Sequence, residues 1–385
     1  MKSSRLNTRG LASLASLLFS LSLAPATDCF VSPSGKDTNP GTRSQPFGSF
    51  QRAQQAVREA RKAQPQAGVT VTFSAGRYEL SAPLEFTPAD SGASAQQPVV
   101  YRAQPGAAVV FSGGRTITGW QPDPQHPGLW KTRVAEPKPG DDFSWRFEQL
   151  WVNDQRAVRA RTPNFWEFDL PLGITEKPAA ASSSKMQHAF TIKPTALATL
   201  RGLDPAALHD VQMIAFHKWD TTREWLQSVD PEAGAFTTTG SKMQSWNPMS
   251  RESLIYFENY LAALDAPGEW FLDRDGWLYY QPRAGEDMKR VEVTAPILER
   301  FLVVHGTIGN ANAWVRHVRF EGLKFRDAGF RVPAEGLPPG QAAMNIDRTA
   351  VLLDGASDIH FSNCAVEHID MTAFWFRQAC RECVV

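Results

Sequence analysis

The sequence has 385 residues, and its 40 Lys and Arg residues are balanced by 40 Asp and Glu residues, which gives a formal net charge of zero. That balance excludes the basic surface by which nucleic-acid-binding proteins are usually recognised, and it offers no polybasic patch for an anionic membrane surface. The 42% of hydrophobic and 21% of charged residues are typical of a globular protein with a buried core, and the length allows two domains.

The first 26 residues have the three parts of a secretory signal peptide. Lys2, Arg5 and Arg9 form a basic start, residues 11–23 form a short apolar segment, and residues 24–26 offer a cleavage site of small residues. The apolar segment is shorter than a typical membrane-spanning helix. We therefore predict a signal peptide over residues 1–26 and a mature protein that is secreted or periplasmic. The alternative is a buried N-terminal helix.

Residues 27–119 are predicted to contain a capping helix and the first coils of a stack of strands. Ser49 is a typical helix N-cap, and the apolar residues that follow it recur at helical spacing (Phe50, Ala53, Val57, Ala60). Residues 69–80 alternate apolar and polar side chains, and residues 98–114 supply two further short strands. The helix is expected to cover one end of the stack, where strand edges would otherwise be exposed.

Residues 120–290 follow a different pattern. Ten of the twelve tryptophans lie between residues 120 and 296, and turn sequences are frequent. Residues 269–282 predict a β-hairpin with a type I′ turn at Asp275-Gly276, and residues 150–161 predict another that turns near Asn153-Asp154. We interpret residues 120–290 as an antiparallel β domain that is inserted before residues 291–385, which continue the stack of coils.

The last part of the chain repeats itself. VRHVRFEGLKF (315–325) matches SDIHFSNCAVEHI (357–369) at an offset of 41, and the turn residue Gly322 is replaced by Asn363, which also tolerates a left-handed backbone. Residues 350–359 resemble residues 373–383 at an offset of 23 or 24. Such repeats predict a parallel β-solenoid in which equivalent residues stack (Val318, Phe320, Leu323 and Phe325 on Ile359, Phe361, Cys364 and Val366). The alternative is a β-sandwich with chance similarity.

Several stretches carry a resemblance to a known family. The opening FVSPSGKDTNPGTRSQPFGSFQRAQQAV (30–57) resembles that of extracellular carbohydrate-active proteins with a pectate-lyase-like fold. The stretches VNDQRAVRARTPN (152–164), ENYLAALDAPGEWFLDRDGWLYYQP (258–282) and FEGLKFRDAGF (320–330) resemble the β-helix glycosidases of the α-fucosidase and xylanase type, glycoside hydrolase family 141. The resemblance covers nearly all of the chain after the predicted signal peptide.

The resemblance implies an all-β fold: a right-handed parallel β-helix with an N-terminal capping helix and an inserted antiparallel β domain. It also implies carbohydrate chemistry, with glycoside hydrolysis as the favoured activity of a full-length parent protein. The family's helix has more coils than this sequence provides, and Val385 falls in the middle of a predicted coil. We therefore expect a C-terminally truncated fragment, and a catalytic pair beyond Val385 remains an open alternative.

A glycosidase needs two carboxyl groups beside the scissile bond, one to protonate the leaving oxygen and one to attack or to activate water. The candidates in the repeat region are Asp347, Asp354, Glu367 and Asp370. We predict Glu367 and Asp370 as the catalytic pair, because they lie near a corner beside the Pro- and Gly-rich segment 330–341. His368 is predicted to bind substrate. The alternative for each residue is a solvated turn position.

The segment HKWDTTREW (217–225) predicts a second group of substrate-binding residues. On a single strand, four of its side chains would share one face (His217, Trp219, Arg223, Trp225). Aromatic rings can stack on sugar rings while polar neighbours bind the hydroxyl groups. The alternative is that both tryptophans belong to the core of the inserted domain. Glu258-Asn259 matches the family's motif, with a structural role as its alternative.

No cofactor and no metal is predicted. Cys29, Cys364, Cys380 and Cys383 lack the second pair or nearby histidines of a zinc site, and Cys364 is expected to be a buried thiol. The expected partner is a polysaccharide or oligosaccharide, bound by a monomer that has no membrane anchor and binds no nucleic acid. Two alternatives to a hydrolase remain: a polysaccharide lyase on the same fold, and a non-catalytic carbohydrate-binding or adhesive solenoid.

Overall fold

The computed structural model of the protein describes residues 27–134, 146–181, 183–338 and 348–385. The predicted signal peptide and Asp347 lie outside the described residues. The described chain is mostly β-strand, and strand pairing divides it into a parallel region (residues 27–112 and 298–385) and an antiparallel region (residues 113–297). Within the described ranges, none of the helices has both the length and the apolar character needed to cross a membrane.

The parallel region consists of three stacks in which each strand pairs with its neighbours in the parallel direction. Stack A contains Thr27–Val31, Val69–Phe73, Val99–Ala103, Val315–Glu321 and the second half of Thr349–Ser362. Stack B contains Gly76–Glu79, Val109–Ser112, Leu323–Ala328 and Ala365–Ile369. Stack C contains Leu84–Phe86, Leu302–His305, the first half of Thr349–Ser362 and Thr372–Arg381. From residue 69 onward, the chain visits the stacks in the order A, B, C and then returns to A.

The register of stacks A and B confirms the predicted 41-residue repeat. Predicted partners are direct neighbours on adjacent parallel strands (Val318 and Ile359, Phe320 and Phe361, Phe325 and Val366). The rings of Phe320 and Phe361 are stacked with centroids 4.7 Å apart. Leu323 is buried in the same core, whereas Cys364 and Val366 are half-buried against it.

The register of stack C accounts for the second repeat. Val351 pairs with Phe374, which gives the offset of 23, whereas Asp354 pairs with Gln378, which gives the offset of 24. The change occurs at a register shift after Leu353, where the later strand contains one extra residue. One β-bulge therefore explains why the sequence repeat has an offset of 23 before Asp354 and 24 from Asp354 onward.

Residues with a left-handed backbone lie at equivalent positions of successive turns in the parallel region. Gly322 (φ 66°) and Asn363 (φ 52°) form the predicted corner between stacks A and B. Two further pairs at the same offset also have positive φ angles (His317 and Asp358, Asp327 and His368). In each of these pairs the histidine Nδ1 contacts the aspartate carboxylate, at 2.6 Å in the first pair and 3.1 Å in the second. Polar contacts between turns therefore accompany the strained backbone.

One helix, Phe50–Ala63, packs onto the parallel region. As predicted, Ser49 caps it, because the Ser49 hydroxyl accepts a hydrogen bond from the backbone N–H of Arg52 at 3.1 Å. The ring of Phe50 lies 5.2 Å from that of Phe73 and 4.8 Å from that of Tyr101. The helix therefore adds its apolar face to the core of the stacks.

The described part of the antiparallel region contains three sheets, each given from one edge strand to the other. The first contains Gln155–Arg156, Trp151–Val152, Val293–Pro296 and Gly114–Thr116. The second contains Val158–Arg159, Glu269–Leu272, Trp277–Tyr280, Trp130–Arg133 and Gln121–Pro122, and only its first pair is parallel. The third contains Arg161–Thr162, Leu254–Glu258, Gln212–Phe216, Thr221–Asp230, Ala235–Gly240, Met186–Thr191 and Gly173–Pro178.

Short helices complete the described chain. The α-helix Pro205–Leu208 and the 3₁₀ helices Pro194–Leu200 and Leu261–Ala263 belong to the antiparallel region, whereas the 3₁₀ helices Pro88–Asp90 and Ala311–Ala313 belong to the parallel region. The antiparallel region has two hydrophobic cores of its own, separate from the core of the stacks.

The hairpin predicted near Asn153-Asp154 is present. Trp151–Val152 pairs with Gln155–Arg156 in the antiparallel direction, and both turn residues have positive φ angles of 49° and 63°. Two left-handed residues in succession are the requirement of a type I′ turn. The predicted position of this hairpin is therefore confirmed, and the structure adds its turn type.

The hairpin predicted at Asp275-Gly276 is present, but its predicted turn type is wrong. Glu269–Leu272 pairs with Trp277–Tyr280, and only Gly276 of the two turn residues is left-handed, with φ 81°. The backbone N–H of Gly276 donates to the carbonyl of Asp273 at 3.3 Å. The Asp273 carboxylate also accepts the N–H of Trp277 at 2.8 Å, which favours the longer loop over a two-residue turn.

Candidate active site

Three adjoining cavities lie at or beside the boundary between the two regions. Residues of both regions line the first two, and residues of the antiparallel region alone line the third. Their volumes are about 710, 700 and 310 Å³, and we number them cavities 1, 2 and 3 in that order. Glu148 lines cavities 2 and 3, and Gln149 lines cavities 1 and 3. Both residues precede the strand Trp151–Val152. The short segment before this hairpin therefore forms a wall common to the cavities.

Glu148 is a buried glutamate that is held by four polar groups. Its Oε1 accepts hydrogen bonds from the N–H of Val332 at 3.0 Å and from the amide of Gln212 at 3.2 Å. Its Oε2 lies 3.4 Å from Nη1 of Arg159 and 3.8 Å from Nη1 of Arg223. Burial raises the pKa of Glu148, and the two guanidinium groups oppose that rise only in part.

Glu258 is the second glutamate at cavity 3. It ends the strand Leu254–Glu258, and its Oε1 accepts a hydrogen bond from Nη1 of Arg159 at 3.2 Å. The same guanidinium nitrogen therefore contacts both glutamates. Tyr256, on the same strand, also lines the cavity, and its pKa is raised by burial and by the charge of Glu258. The adjacent Asn259 donates to the carbonyl of Asp210 at 3.0 Å, which is a structural contact.

Asp370 reaches the junction from the parallel region. Its Oδ2 accepts a hydrogen bond from the amide of Gln149 at 2.8 Å, and its Oδ1 forms an ion pair with Arg156. The buried Gln149 amide also exchanges two hydrogen bonds with the backbone of Phe330, at 2.7 and 2.9 Å. Asp370 thus fixes two residues that line cavity 3.

His368 lies beside the same wall but is fully engaged by neighbouring side chains. Its ring stacks on that of Trp151 with centroids 5.1 Å apart, and its Nδ1 lies 3.1 Å from Oδ1 of Asp327. Burial alone would raise the pKa of Asp327, but contacts with His368, Ser112 and Arg77 outweigh it and lower that pKa. These contacts join the two regions and orient the Trp151 hairpin.

The remaining acidic candidates lie away from the cavities. Glu367 forms ion pairs with Lys324 at 3.0 Å and with Arg326 at 3.8 Å, and it does not line any of the three cavities. Asp354 forms an ion pair with Arg377. The structure thus brings Asp370 to the junction and leaves Glu367 outside it, so the predicted pair is not assembled at one cavity.

The segment 217–225 is not a single strand, which corrects the prediction that His217, Trp219, Arg223 and Trp225 share one face. Gln212–Phe216 and Thr221–Asp230 are antiparallel partners, and the register pairs Phe216 with Thr221. The four residues between them therefore form the turn of a hairpin. The aspartate within that turn favours chain reversal, which overrides the β-propensity of its tryptophan.

The four predicted side chains separate into two pairs. In the turn, Trp219 is 66% exposed, and His217 contacts the hydroxyl of Thr222 at 2.7 Å, with a pKa that burial lowers. On the strand, Arg223 lines cavity 3, and Trp225 lines cavity 2 and donates from Nε1 to the carbonyl of Pro333 at 3.0 Å. Only the second pair reaches the junction.

The sequence-based prediction missed Glu148 and Arg159. Neither residue belongs to the repeat. Arg159 lies in the stretch 152–164 that carries the resemblance, and the other partners, Arg223 and Glu258, are far away in the sequence. The available signal was weak: Glu148 precedes a predicted hairpin whose strands are rich in arginine. Long-range ion pairs of this kind have no local period that a sequence pattern could show.

The described residues include no cluster of three or more His, Cys, Asp or Glu side chains that could hold a metal ion. Cys29, Cys364, Cys380 and Cys383 are all free thiols, and burial raises the pKa of each, to about 11 for Cys380. Cys364 is half-buried rather than fully buried. Raised thiol pKa values disfavour the thiolate form that metal binding and nucleophilic attack require.

Part of the antiparallel region matches a described family. Residues 129–283 match the family model of the GH141 insertion domain. The chain is also similar to a solved structure titled "Glycoside hydrolase", with 26% sequence identity and a TM-score of 0.74 over 91% of this chain. The chain spans 63% of the length of that glycoside hydrolase.

A second solved structure is titled "The complex structure of XylC with xylose". It covers 87% of this chain and 40% of its own chain at 15% identity, and its TM-score of 0.34 carries no argument. No curated protein matches the sequence. The insertion-domain match and the similarity to the solved glycoside hydrolase together support a GH141-like carbohydrate-active protein.

Proposed function

We propose that the protein is a glycoside hydrolase that acts on a complex polysaccharide. The observation that carries the proposal is the position of Glu148 and Glu258, two glutamates whose side chains are only 7% and 10% exposed. Both line cavity 3 and contact the same nitrogen of Arg159. Two carboxyl groups at one cavity are what most glycosidases require. The similarity to a solved glycoside hydrolase and the insertion-domain match support the same class.

The two glutamates differ in a way that suits different catalytic roles. Burial raises the pKa of Glu148, so this carboxyl group keeps its proton to a higher pH and can donate it to the leaving glycosidic oxygen. Glu258 is the second carboxyl group at this cavity and accepts a hydrogen bond from Arg159, which leaves it the role of attacking the sugar or activating water. We assign Glu148 as general acid and Glu258 as nucleophile or base.

Asp370 receives a positioning role in this proposal. Through its contacts with Gln149 and Arg156 it holds the wall of cavity 3 in place. Glu367 and Asp370 stay a second candidate pair, but the ion pairs of Glu367 with Lys324 and Arg326 leave it outside the cavities. His368, Arg223 and Trp225 are proposed to shape the same wall.

The proposal extends to the organisation of the chain. The order A, B, C of the stacks and their parallel register support a right-handed parallel β-helix formed by residues 27–119 and 291–385, with residues 120–290 as the inserted domain. The basic and apolar character of residues 1–26 supports export to the periplasm or the cell exterior. We propose that the exported protein is a monomer. A polysaccharide outside the cell is the substrate that such a protein meets.

Substitution of each glutamate tests the proposed pair. Glu148→Gln preserves the shape of the side chain but removes its acid function, and we expect the rate of reducing-sugar release to fall by roughly a hundredfold or more. Glu258→Gln should give a comparable loss. Glu252→Gln, an exposed glutamate outside the cavities, is the matched control and should retain the full rate. Thermal unfolding checks that each variant is folded, and full activity of folded Glu148→Gln would disprove the assignment.

A polysaccharide lyase is the second candidate, because arginine, which can serve as the base of a lyase on the resembled fold, lines cavity 3. Elimination leaves an unsaturated uronate that absorbs ultraviolet light, whereas hydrolysis releases reducing sugar without that absorbance. Both signals are measured on the same reaction mixture. Sugar binding without either product would identify a non-catalytic binding protein.

A further inference from the structure

The walls of the three cavities carry an excess of positive charge that the chain as a whole does not have. The chain is neutral, with 40 basic and 40 acidic residues. Among the described residues that line cavities 1–3, nine are arginines (Arg146, Arg156, Arg159, Arg161, Arg223, Arg274, Arg300, Arg331, Arg348) and four are acidic (Glu148, Asp210, Glu258, Glu299). Clefts lined by one sign of charge attract ligands of the opposite sign.

Several of these arginines have donors that the described chain does not use. The nearest carboxylate oxygen to the Arg223 guanidinium is on Glu148, at 3.8 Å, and within the described ranges the group makes no hydrogen bond. Arg331 is exposed and has neither a hydrogen bond nor an ion pair with any described residue. The Nε of Arg159 is buried without a partner in the same part of the chain. Unsatisfied donors of this kind are costly unless a ligand or solvent accepts from them.

Arg161 adds a positive charge whose contacts are neutral groups. Its Nε and Nη2 donate to the carbonyls of Pro163 and Glu167 at 2.9 and 2.8 Å, and its guanidinium lies 3.5 Å from the ring centroid of Tyr256. No described carboxylate forms an ion pair with it. The ring of Phe165 also lies near this group and lines cavity 3. The cavity therefore combines positive charge with aromatic rings, which can contact the apolar face of a sugar.

We propose that cavities 1–3 bind an acidic polysaccharide, and that their arginines contact the carboxylates of its uronic acid residues. This inference rests on the proposed function, because it names the substrate class of the same site. The planar guanidinium of arginine matches a carboxylate with two parallel hydrogen bonds, a geometry that a neutral sugar does not satisfy. A sulfate ester offers the same negative charge without the planar geometry, so the experiment compares the two anions.

Calorimetric titration of the full chain with three oligosaccharides of equal length tests the inference. The probes are an oligogalacturonide, a neutral xylo-oligosaccharide and the same xylo-oligosaccharide after chemical sulfation. We expect the oligogalacturonide to bind at least about tenfold more tightly than the neutral probe, and its affinity to fall as salt is added. The sulfated probe should bind more weakly than the oligogalacturonide.

Arginine variants locate the binding. Arg331→Gln, at an exposed side chain, and Arg223→Gln should each weaken oligogalacturonide binding by roughly tenfold, the loss of one charge-assisted hydrogen bond. Arg223→Lys keeps the charge without the planar group and should give an intermediate loss. Arg201→Gln is the matched control, because Arg201 is an exposed arginine that pairs with Glu232 at 2.8 Å and lies outside the cavities.

Four outcomes would overturn the inference: equal affinity for the neutral probe, tighter binding of the sulfated probe, no binding of any probe, or wild-type affinity in both Arg331→Gln and Arg223→Gln. Calorimetry does not depend on turnover, so the two proposals can fail separately. Oligogalacturonide binding without hydrolysis would retain the inference and defeat the proposed hydrolase. Hydrolysis of neutral polysaccharide alone would retain the hydrolase and defeat the inference.

Discussion

The parallel and the antiparallel region bury their apolar side chains in different ways. In the parallel region, one core runs through all three stacks, and equivalent residues of successive turns lie on one another, as Phe361 does on Phe320. In the antiparallel region, two separate cores form from contacts that occur once, as between Phe236 and Phe190. A loss of packing in the stacks is therefore transmitted to neighbouring turns, whereas a loss in the antiparallel region stays within one core.

The two regions also hold ionisable groups differently. In the parallel region, contacts with arginine and histidine outweigh burial and lower the pKa of Asp327 and Asp358. In the antiparallel region, burial raises the pKa of Glu269 to about 7, and contacts with two glutamates outweigh burial and raise the pKa of His188. Asp327 and Asp358 therefore contribute less stability on acidification, whereas Glu269 and His188 contribute less as pH rises.

The largest expected effect comes from removing a stacked ring. Phe361→Ala should lower the free energy of unfolding by about 3–5 kcal/mol, because the ring packs against Phe320 and lies 5.1 Å from the ring of Phe374. Denaturant unfolding followed by far-ultraviolet circular dichroism measures the loss. Tryptophan fluorescence reports mainly on the other region, since ten of the twelve tryptophans lie between residues 120 and 296.

The matched change in the antiparallel region is Phe236→Ala, which removes a ring stacked 4.5 Å from that of Phe190. We expect this variant to move the fluorescence transition more than the dichroism transition, and Phe361→Ala to do the opposite. Identical shifts in both signals for both variants would mean that the two regions unfold as one unit.

The second effect is the response to pH. The pKa of Glu269 is about 7 in the folded state and near 4.3 in the unfolded state, so folding favours the protonated form. Its contribution is complete below about pH 4 and is lost as pH rises to about 7, with a cost of roughly 3–4 kcal/mol. His188, whose pKa is raised, adds a loss in the same direction as pH rises through its folded-state pKa.

Denaturation midpoints between about pH 5 and 8 measure this difference, because Asp327 and Asp358 stay ionised across that range. Glu269→Gln is the test variant, since its side chain can still accept from the N–H groups of Asp265 and Ala266. Glu269→Gln should reduce the change with pH of the denaturation midpoint that is measured by fluorescence. A wild-type protein whose fluorescence midpoint is constant over this range would contradict the assigned shift.

The third effect concerns the corner between stacks A and B. Gly322 has φ 66°, and a Cβ there would lie 3.4 Å from that of Ala103, so space is available and the backbone conformation decides the cost. Gly322→Val should destabilise the chain by about 1–2 kcal/mol, whereas Gly322→Asn should cost less than about 1 kcal/mol. Asn363 already occupies the equivalent corner. Equal losses of unfolding free energy in the two variants, measured by denaturant unfolding, would contradict the conclusion that Gly322 and Asn363 occupy equivalent corners.

The smallest expected effect is at Trp219. This side chain is 66% exposed, so Trp219→Ala should change the free energy of unfolding by less than about 0.5 kcal/mol. We also expect weaker sugar binding in the calorimetric titration, because the exposed ring can stack on a sugar that extends beyond the three cavities. Trp270→Ala, at a fully buried tryptophan, is the contrast and should cost about 3–5 kcal/mol. Unfolding of Trp219→Ala with unchanged sugar affinity would show that this tryptophan is structural.

The sequence predicted those features that are local or repeated. The capping of Phe50–Ala63 by Ser49 and the hairpin turn near Asn153-Asp154 depend on neighbouring residues, and both are present. The stacking of Phe320 on Phe361 follows from a constant offset between turns. Each of these features can be read from the spacing of residues that lie close together or recur.

The candidate site could not be predicted in this way, because its contacts join distant segments. Glu148 meets Arg159 across a hairpin and Arg223 across a sheet, and Gln149 meets Asp370 across the boundary between the two regions. No spacing in the sequence encodes such pairs. The hairpin at residues 217–220 was mistaken for a strand because tryptophan and threonine favour strands, whereas the pairing of the flanking segments decides where the chain turns.

Val99 and Val318 are direct neighbours in stack A, although the whole antiparallel region lies between them in the sequence. In kinetic terms, the chain has to close a very long loop before the first turns of the stack can meet the later ones, and contacts of high sequence separation slow folding. The antiparallel pairing of Gly114–Thr116 with Val293–Pro296 holds the two ends of that loop side by side. Once this pairing has formed, the remaining search is short, so we expect prior folding of the antiparallel region to speed the assembly of the stacks.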